Sequence, residues 1–349
     1  MKKRLLKWMT VVLMLTLVLT GCSQPAPEPA PQQEPTAETP AEETTETAEV
    51  MEEWPLNQLT IIVPYSPGGT NDRQARALAP YIQQELGVPV IVENREGGGT
   101  TVAYNTHMQQ DPADGSHIIF GQFNAFVTAI IRGAYEYDDF PNMGSMSNGH
   151  RIIAVNPEFS PFEDFEDFLK KVEANPGGYT QPVGAGWGLV FDEVLSEVGL
   201  TTRSVPYDGG GAARVAFMAG DIDFYVTDYE SMVSIMEPGS FEALALLSDT
   251  SPYDHMPIAN ELLEALGYDI RFPNMISPRN FQVKRQFMED YPDRFDFLSE
   301  ALVRAANHPA FAEQMKSEGY IFEPAMREES EHLFREVYEA ARQFEEAFK

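Results

Sequence analysis

Leu59-Thr-Ile-Ile-Val-Pro-Tyr-Ser-Pro-Gly-Gly-Thr-Asn-Asp72 carries a β-branched apolar run into a turn of proline and glycine, and a helical period follows from Asp72 to Leu86. Strand, glycine-rich turn and helix in that order make half of a βαβ unit. Gly87 closes the helix, Val90-Ile-Val-Glu93 is the next short apolar run, and Thr101 to Gln110 is helical. Asp114-Gly115 then turns the chain into His117-Ile-Ile-Phe-Gly121. This βαβαβ rhythm predicts a parallel sheet. It resumes with a strand over 152–155, a helix over 162–174, a strand over 179–183 and a helix over 189–198. Further on, the pattern predicts a strand over 203–206, a helix over 212–219 and strands over 222–226 and 242–247. After Pro273 the pattern is mostly helical, ending in 327–349, where Leu333, Val337, Ala340, Phe344 and Phe348 share one face.

The whole chain has 349 residues, enough for two domains, with 43% hydrophobic and 22% charged residues as in a folded soluble protein. Its 24 Lys and Arg against 54 Asp and Glu give a net charge of −30. That balance argues against nucleic acid as a partner, because phosphate binding draws on clustered basic side chains. The N-terminus differs from the rest. Lys2, Lys3, Arg4 and Lys7 form a basic start, Trp8 to Leu19 is almost wholly apolar, and Leu19-Thr-Gly-Cys22 resembles a lipobox. The apolar run is shorter than the roughly 20 residues of a spanning helix. Residues 1–21 are therefore expected to be a lipoprotein signal peptide and Cys22 to carry the lipid, the alternative being an uncleaved anchor. Cys22 is the only cysteine, so acylation leaves no disulfide, thiol nucleophile or cysteine metal site. Residues 22–53 are rich in Pro, Thr and Glu with no Lys or Arg, and read as a solvated tether holding a globular body off a membrane.

Signatures of chemistry are missing. The six histidines show no metal-ligand spacing, and Asp221-x-Asp223 lacks the rest of a calcium loop. There is no Walker A sequence. Gly184-x-Gly186-x-Gly188 places its third glycine too early for a dinucleotide fingerprint, and 144–149 does not fit a nucleophile elbow. No metal, no cofactor and no catalysis are expected. What the chain has instead is glycine-rich turns between strand ends and helix starts: 64–72, 93–100, 184–188 and 205–211. Each alone reads as an ordinary βα turn. Together they stand where open α/β folds bind ligands, and a helix N-terminus beside a flexible backbone suits a carboxylate.

Several motifs occur in the order seen in the substrate-binding proteins of tripartite tricarboxylate transporters, the TctC or Bug family. They are Trp54-Pro, Ile62-Val-Pro-Tyr-Ser-Pro-Gly-Gly69, Asp72 with Ala75-Arg76, and Leu86-Gly-Val-Pro-Val-Ile-Val-Glu-Asn-Arg95. Asp114-Gly115, Asn175-Pro-Gly177, Val205-Pro-Tyr-Asp-Gly-Gly-Gly211 and Ala219-Gly-Asp-Ile-Asp223 follow. The sequence resembles that family from about Trp54 to Tyr320. The resemblance implies an α/β fold of the two-domain, type II periplasmic-binding-protein kind with a ligand cleft between the domains. Crossovers are expected near Val155 and Phe272, which makes domain one 54–154 plus 273–349 and domain two 155–272. It further implies capture of a small organic carboxylate, a di- or tricarboxylate or an aromatic acid, by domain closure. Delivery would be to the membrane subunits of a TctA/TctB-type transporter by a monomeric, lipid-anchored, extracytoplasmic protein. Ligand contacts map to Ser66, Gly68, Gly69, Thr70 and Asp72 from domain one. Gly184, Ala185, Gly186, Trp187, Tyr207, Gly209 and Gly210 map from domain two, with Asn124 and Asp228 toward the ligand's far end.

This chain departs from the family in two places. Ala185 and Trp187 stand where the family usually carries Ser and His, which favours an aromatic or apolar ligand, or else a Trp187 indole packed in the core. Asn274-Met-Ile-Ser-Pro-Arg-Asn-Phe281 replaces an Ala-Pro-x-Gly-Thr-Pro stretch. Arg95 is expected to pin neighbouring loops, not to meet ligand. Two other functions remain compatible with the residues: a ligand sensor that docks on a receptor, and an extracellular hydrolase, the second disfavoured by the missing nucleophile and metal.

Overall fold

The β-branched runs form strands as expected, in a computed structural model that describes residues 54, 56–183, 186–207 and 210–348. The expected signal peptide, Cys22 and tether lie outside the described residues. The strands are β1 (Leu59–Val63), β2 (Val90–Asn94), β3 (His117–Gln122), β4 (Asn142–Ser147) and β5 (Arg151–Val155). They continue with β6 (Thr180–Val183), β7 (Arg203–Pro206), β8 (Tyr225–Asp228), β9 (Glu242–Leu246) and β10 (Arg279–Gln282).

One sheet has five strands in the order β2-β1-β3-β10-β4. Its β1, β2 and β3 pair in parallel, with Thr60 opposite Ile91 and His117. β1 is central and buried along its length, so every one of its residues is apolar or, like Thr60, β-branched. The helix Thr70–Leu86 returns the chain from β1 to β2 and buries Ala75, Leu78, Ala79, Ile82 and Leu86 at helical spacing. Gly87 stops it in the left-handed region at φ +67°, where its N–H reaches the Gln83 carbonyl. The core here joins Ile61, Val63, Leu78, Ile82, Phe120 and Phe281 to Leu298 and Leu302 of the helix Pro292–Ala306.

A three-stranded sheet, β8-β5-β9, and the parallel pair β6-β7 carry the middle of the chain. Their core is aromatic. Phe168 meets Phe224 edge-on with centroids 5.1 Å apart, and Phe191 stacks on Phe272 at 5.3 Å.

The sheets are not purely parallel. β10 runs antiparallel to both β3 and β4, and β5 runs antiparallel to both β8 and β9. These two strands are where the chain enters each sheet from the other one. The passage out of the five-stranded sheet occupies 148–150, between β4 and β5, a few residues ahead of the Val155 expected for it. The return passes through 274–278. The two passages pair with each other: Gly149 N–H donates to the Ser277 carbonyl at 3.1 Å, and Ser277 N–H to the Gly149 carbonyl at 2.8 Å. Arg95 is structural, as its position suggested. It pairs with Glu93 at 2.7 Å and with Asp111 at 2.5 Å, tying the turn after β2 to the end of the helix Thr101–Gln110.

Candidate functional site

The turn after β1 builds itself from its own residues. Gly68 adopts φ +77°, and its N–H donates to Asp72 Oδ2 at 2.8 Å. Asp72 is buried, and its Oδ1 pairs with Arg76 at 2.9 Å. Burial raises the Asp72 carboxyl, but the bonds from Arg76 and Gly68 outweigh it and hold the group below its usual range. Asp72 thus shapes the turn, and both of its oxygens are occupied within it. Ser66 is exposed, and its hydroxyl bonds the Glu96 carboxylate of the neighbouring glycine-rich turn. Gly69 is the N-cap residue of the helix Thr70–Leu86 and has an ordinary φ of −71°, with no side-chain cap on the first turn. The leading N–H groups there are the anion-binding kind, with Thr70 buried beside them.

Of the second-lobe turn residues, Gly184, Ala185 and Gly209 lie outside the described residues. Gly186 has φ +84° and ψ −135°, a backbone that only glycine takes without strain. A Cβ there would stand 2.9 Å from Asn124 Nδ2, so the absence of a side chain lets this turn close on the helix Phe123–Ile131. Asn124 is buried, and its Oδ1 accepts no hydrogen bond among the described residues. Trp187 is 1% exposed and donates its indole N–H to the Ile276 carbonyl at 2.7 Å. It is a packed core side chain, and the departure at this position is no sign of an aromatic ligand. Tyr207 N–H donates to the Val183 carbonyl at 3.2 Å, with its ring against the cluster around Ile152 and Phe217. Gly210 opens the helix Gly210–Ala219, and a Cβ on it would lie 3.7 Å from the Tyr225 hydroxyl and 3.6 Å from an Arg214 nitrogen.

Asp228 sits at the meeting point of the sheets, where its surroundings define its role. It accepts from Gln122 Nε2 at 2.7 Å and pairs with Arg279 at 3.1 Å and Arg151 at 3.3 Å. Burial raises its carboxyl, but the two guanidiniums outweigh that and hold it below the usual range. Gln122 also donates its backbone N–H to the Tyr65 hydroxyl at 3.2 Å, which links Asp228 to the turn after β1. Burial pushes that Tyr65 hydroxyl up to about 12, with Arg279, Asp228 and Arg151 all within its electrostatic reach. Asp228 is a hub that organises cations, not an open ligand contact.

The sequence reading missed Arg151, Arg279, Gln122, Tyr65 and Tyr225. Two signals were available: Arg279 lies within the stretch 274–281 that departs from the resembled family, and Arg151 opens an otherwise apolar strand. In a chain so poor in basic residues, an arginine inside a strand calls for a partner.

A family model described as "Tripartite tricarboxylate transporter family receptor" matches residues 74–337. The chain belongs to that family. The description of the family is that of a transporter receptor, a solute-binding role. A UPF0065 protein of Bordetella pertussis is 27% identical over 205 residues, which cover 57% of this chain and 62% of that protein. The chain thus spans about three-fifths of the length of that relative. A structure described as a periplasmic transporter is 25% identical, with a TM-score of 0.70 over 83% of this chain and 97% of that one. MatC from Rhodopseudomonas palustris with bound malate has 20% identity and a TM-score of 0.69, over 84% of this chain and 100% of the other. The fold is that of the periplasmic binding proteins.

Proposed function

We propose that the protein captures a small organic carboxylate in a cleft between two domains, 54–154 with 273–349 and 155–272, and passes it to the membrane subunits of a TctA/TctB-type transporter. The observation that carries this reading is the placing of the glycine turns. The turn after β1 and the turn at Gly210 flank one polar cluster, buried Asp228 with partly buried Tyr65, Arg151 and Tyr225, and the donor-rich start of the helix Thr70–Leu86 lies beside it. The carboxylate is held by backbone and small polar groups at Ser66, Gly68, Gly69 and Thr70 from one side. Gly186, Tyr207 and Gly210 approach from the other, with Asn124 and its side-chain amide nearby; the further proposed contacts Gly184, Ala185 and Gly209 lie outside the described residues. Asp72, Trp187 and Asp228 hold these turns in place. Malate in MatC, a protein of the same fold, is in keeping with this ligand class.

Thermal unfolding against a panel of mono-, di- and tricarboxylates and aromatic acids tests the reading. Ligand at a hundredfold over its dissociation constant adds about 2.7 kcal/mol, a rise of several degrees for a body of this size. No shift across the panel refutes carboxylate capture.

We further propose that the protein acts as a monomer held to a membrane through lipid on Cys22, with residues 22–53 as the spacer. Cys22→Ser should appear in the soluble fraction or as uncleaved precursor, while the wild type partitions into detergent and carries a diacylglycerol mass. An unlipidated, wholly soluble wild type refutes the anchor.

A further inference from the structure

One short helix reaches from the three-stranded sheet to the helices of the five-stranded one. The helix Tyr229–Val233 follows β8, and Ser234 ends it in helical backbone. The last carbonyls of a helix have no partner within it. The Ser234 carbonyl instead accepts from Arg73 Nη1 at 3.1 Å, near the start of the helix Thr70–Leu86. Arg73 Nη2 meets the Glu318 carboxylate at 3.2 Å, just past the helix Pro309–Ser317. The Tyr320 hydroxyl donates to Ser234 Oγ at 2.8 Å, and Ser234 Oγ donates in turn to the Ser231 carbonyl at 3.2 Å. Gly319 makes the approach possible: it has φ +86°, and a Cβ on it would stand 2.7 Å from Val233 Cγ1.

Arg73, Glu318 and Tyr320 belong to the proposed domain 54–154 with 273–349, and Ser234 to the proposed domain 155–272. The contact therefore crosses between them. It differs in kind from the other crossings, where Asp228 and Trp187 are buried. The Arg73 side chain is 39% exposed and that of Glu318 26%. A partly exposed hydrogen bond or ion pair shifts an equilibrium by only about two- to tenfold, because water takes the place of a lost partner. Contacts of that strength can be made and broken, whereas a buried charge such as Asp228 is held fast. Arg73 is also joined to the turn after β1, since its N–H donates to the Gly69 carbonyl at 3.0 Å.

We propose that Arg73 and Tyr320 clasp Ser234 and hold the two domains together through the chain's own groups, ligand or none, so that the clasp opens before a carboxylate enters. This rests on the two-domain capture reading and adds a control on entry to it. A clasp that forms without ligand makes the closed form dominate the free protein, and association is slowed by the fraction that is open. The same bonds persist around a bound ligand, so their loss loosens that form too. Removing the clasp therefore speeds association and lowers affinity at once, whereas removing a ligand contact lowers affinity with no gain in association rate.

The test combines Arg73→Met, which keeps the stem and removes the donors, with Tyr320→Phe, which keeps the ring beside Arg279. Amide exchange of the full chain, read by mass spectrometry with no carboxylate added, should quicken about threefold or more in the double variant. The increase should appear at 229–236 and also around Gly186 and Gly210, in turns that neither substitution touches. Stopped-flow binding of a carboxylate that raises the unfolding midpoint should show association about threefold faster, affinity about threefold lower and dissociation about tenfold faster. Tyr320→Phe alone should move each quantity the same way by a smaller factor, and unfolding midpoints verify that both preparations are folded. Exchange unchanged around Gly186 and Gly210, or affinity lost with association no faster, overturns the clasp and leaves carboxylate capture standing. If no carboxylate binds, capture fails and the exchange measurement alone decides the clasp.

Discussion

Asp228→Asn is expected to lower the unfolding free energy by about 3–5 kcal/mol, the cost of removing one partner from a buried ion pair and leaving the other charge in place. The substitution keeps the shape and removes the charge that both Arg151 and Arg279 face at 3.3 and 3.1 Å. Asparagine offers one acceptor oxygen where two guanidiniums now meet two, and its amide group would turn donors toward a cation. For a body of this size the unfolding midpoint should fall by roughly 5–10 °C. The pH dependence follows from the same geometry. Burial alone would raise the Asp228 carboxyl, but Arg151 and Arg279 hold its folded pKa below the unfolded value. Its stabilisation is therefore complete above the ordinary carboxylate range, near pH 4, and is lost as pH falls through the depressed folded value. Denaturant unfolding of wild type and variant at neutral and acid pH reads both effects. The two curves should converge on the acid side, and a neutral-pH loss below about 1 kcal/mol would mean that Asp228 is not the principal counter-charge of the pair.

That cluster also marks the limit of what the chain reveals before it is folded. β1, β2 and β3 were legible because central parallel strands must be apolar or β-branched, and Leu59–Val63 is a clear instance. β4 and β10 were not. Asn142-Met-Gly-Ser-Met-Ser147 and Arg279-Asn-Phe-Gln282 are polar yet buried along their whole length. Their polar groups satisfy one another or nearby backbone: Asn280 donates to Asn142 at 3.1 Å, Tyr104 to Gln282 at 2.5 Å, and Gln282 to the Phe140 carbonyl at 3.1 Å. Hydropathy cannot register a strand whose burial depends on partners 138 or 178 residues away. The helix Phe123–Ile131 escaped for the opposite reason, since it is buried nearly all round and shows no polar face to set its period. At the site, the turns were readable because positive-φ glycine leaves a mark in the sequence, as at Gly68 and Gly186. The arginines were not, because Asp228 gathers Gln122, Arg151 and Arg279 from three strands that only the fold brings together.

Trp187→Ala is expected to cost about 3–5 kcal/mol, the usual loss when a large aromatic side chain leaves a packed core. Two departures from the resembled family meet at this residue, and the structure joins them. Trp187 opens the helix Trp187–Ser196 and lies with Phe191, Phe272 and Ile276 in one buried cluster. Its indole N–H is the donor to the Ile276 carbonyl at 2.7 Å, and Ile276 in turn bridges His150 across the paired passages that join the sheets. A glycine-rich turn is therefore fastened, through one ring, to the segment 274–278 that joins the two sheets. Trp187→Phe separates the two contributions. Phenylalanine keeps much of the buried area but gives the Ile276 carbonyl no donor, so its cost should fall near the 1–3 kcal/mol of one unsatisfied buried polar group. Denaturant unfolding gives both values, and titration of a bound carboxylate gives the companion reading. If Trp187→Ala proves nearly neutral in stability while abolishing binding, the indole belongs to the ligand; a large stability loss shared in smaller measure by Trp187→Phe assigns it to the core and to the seam between the sheets.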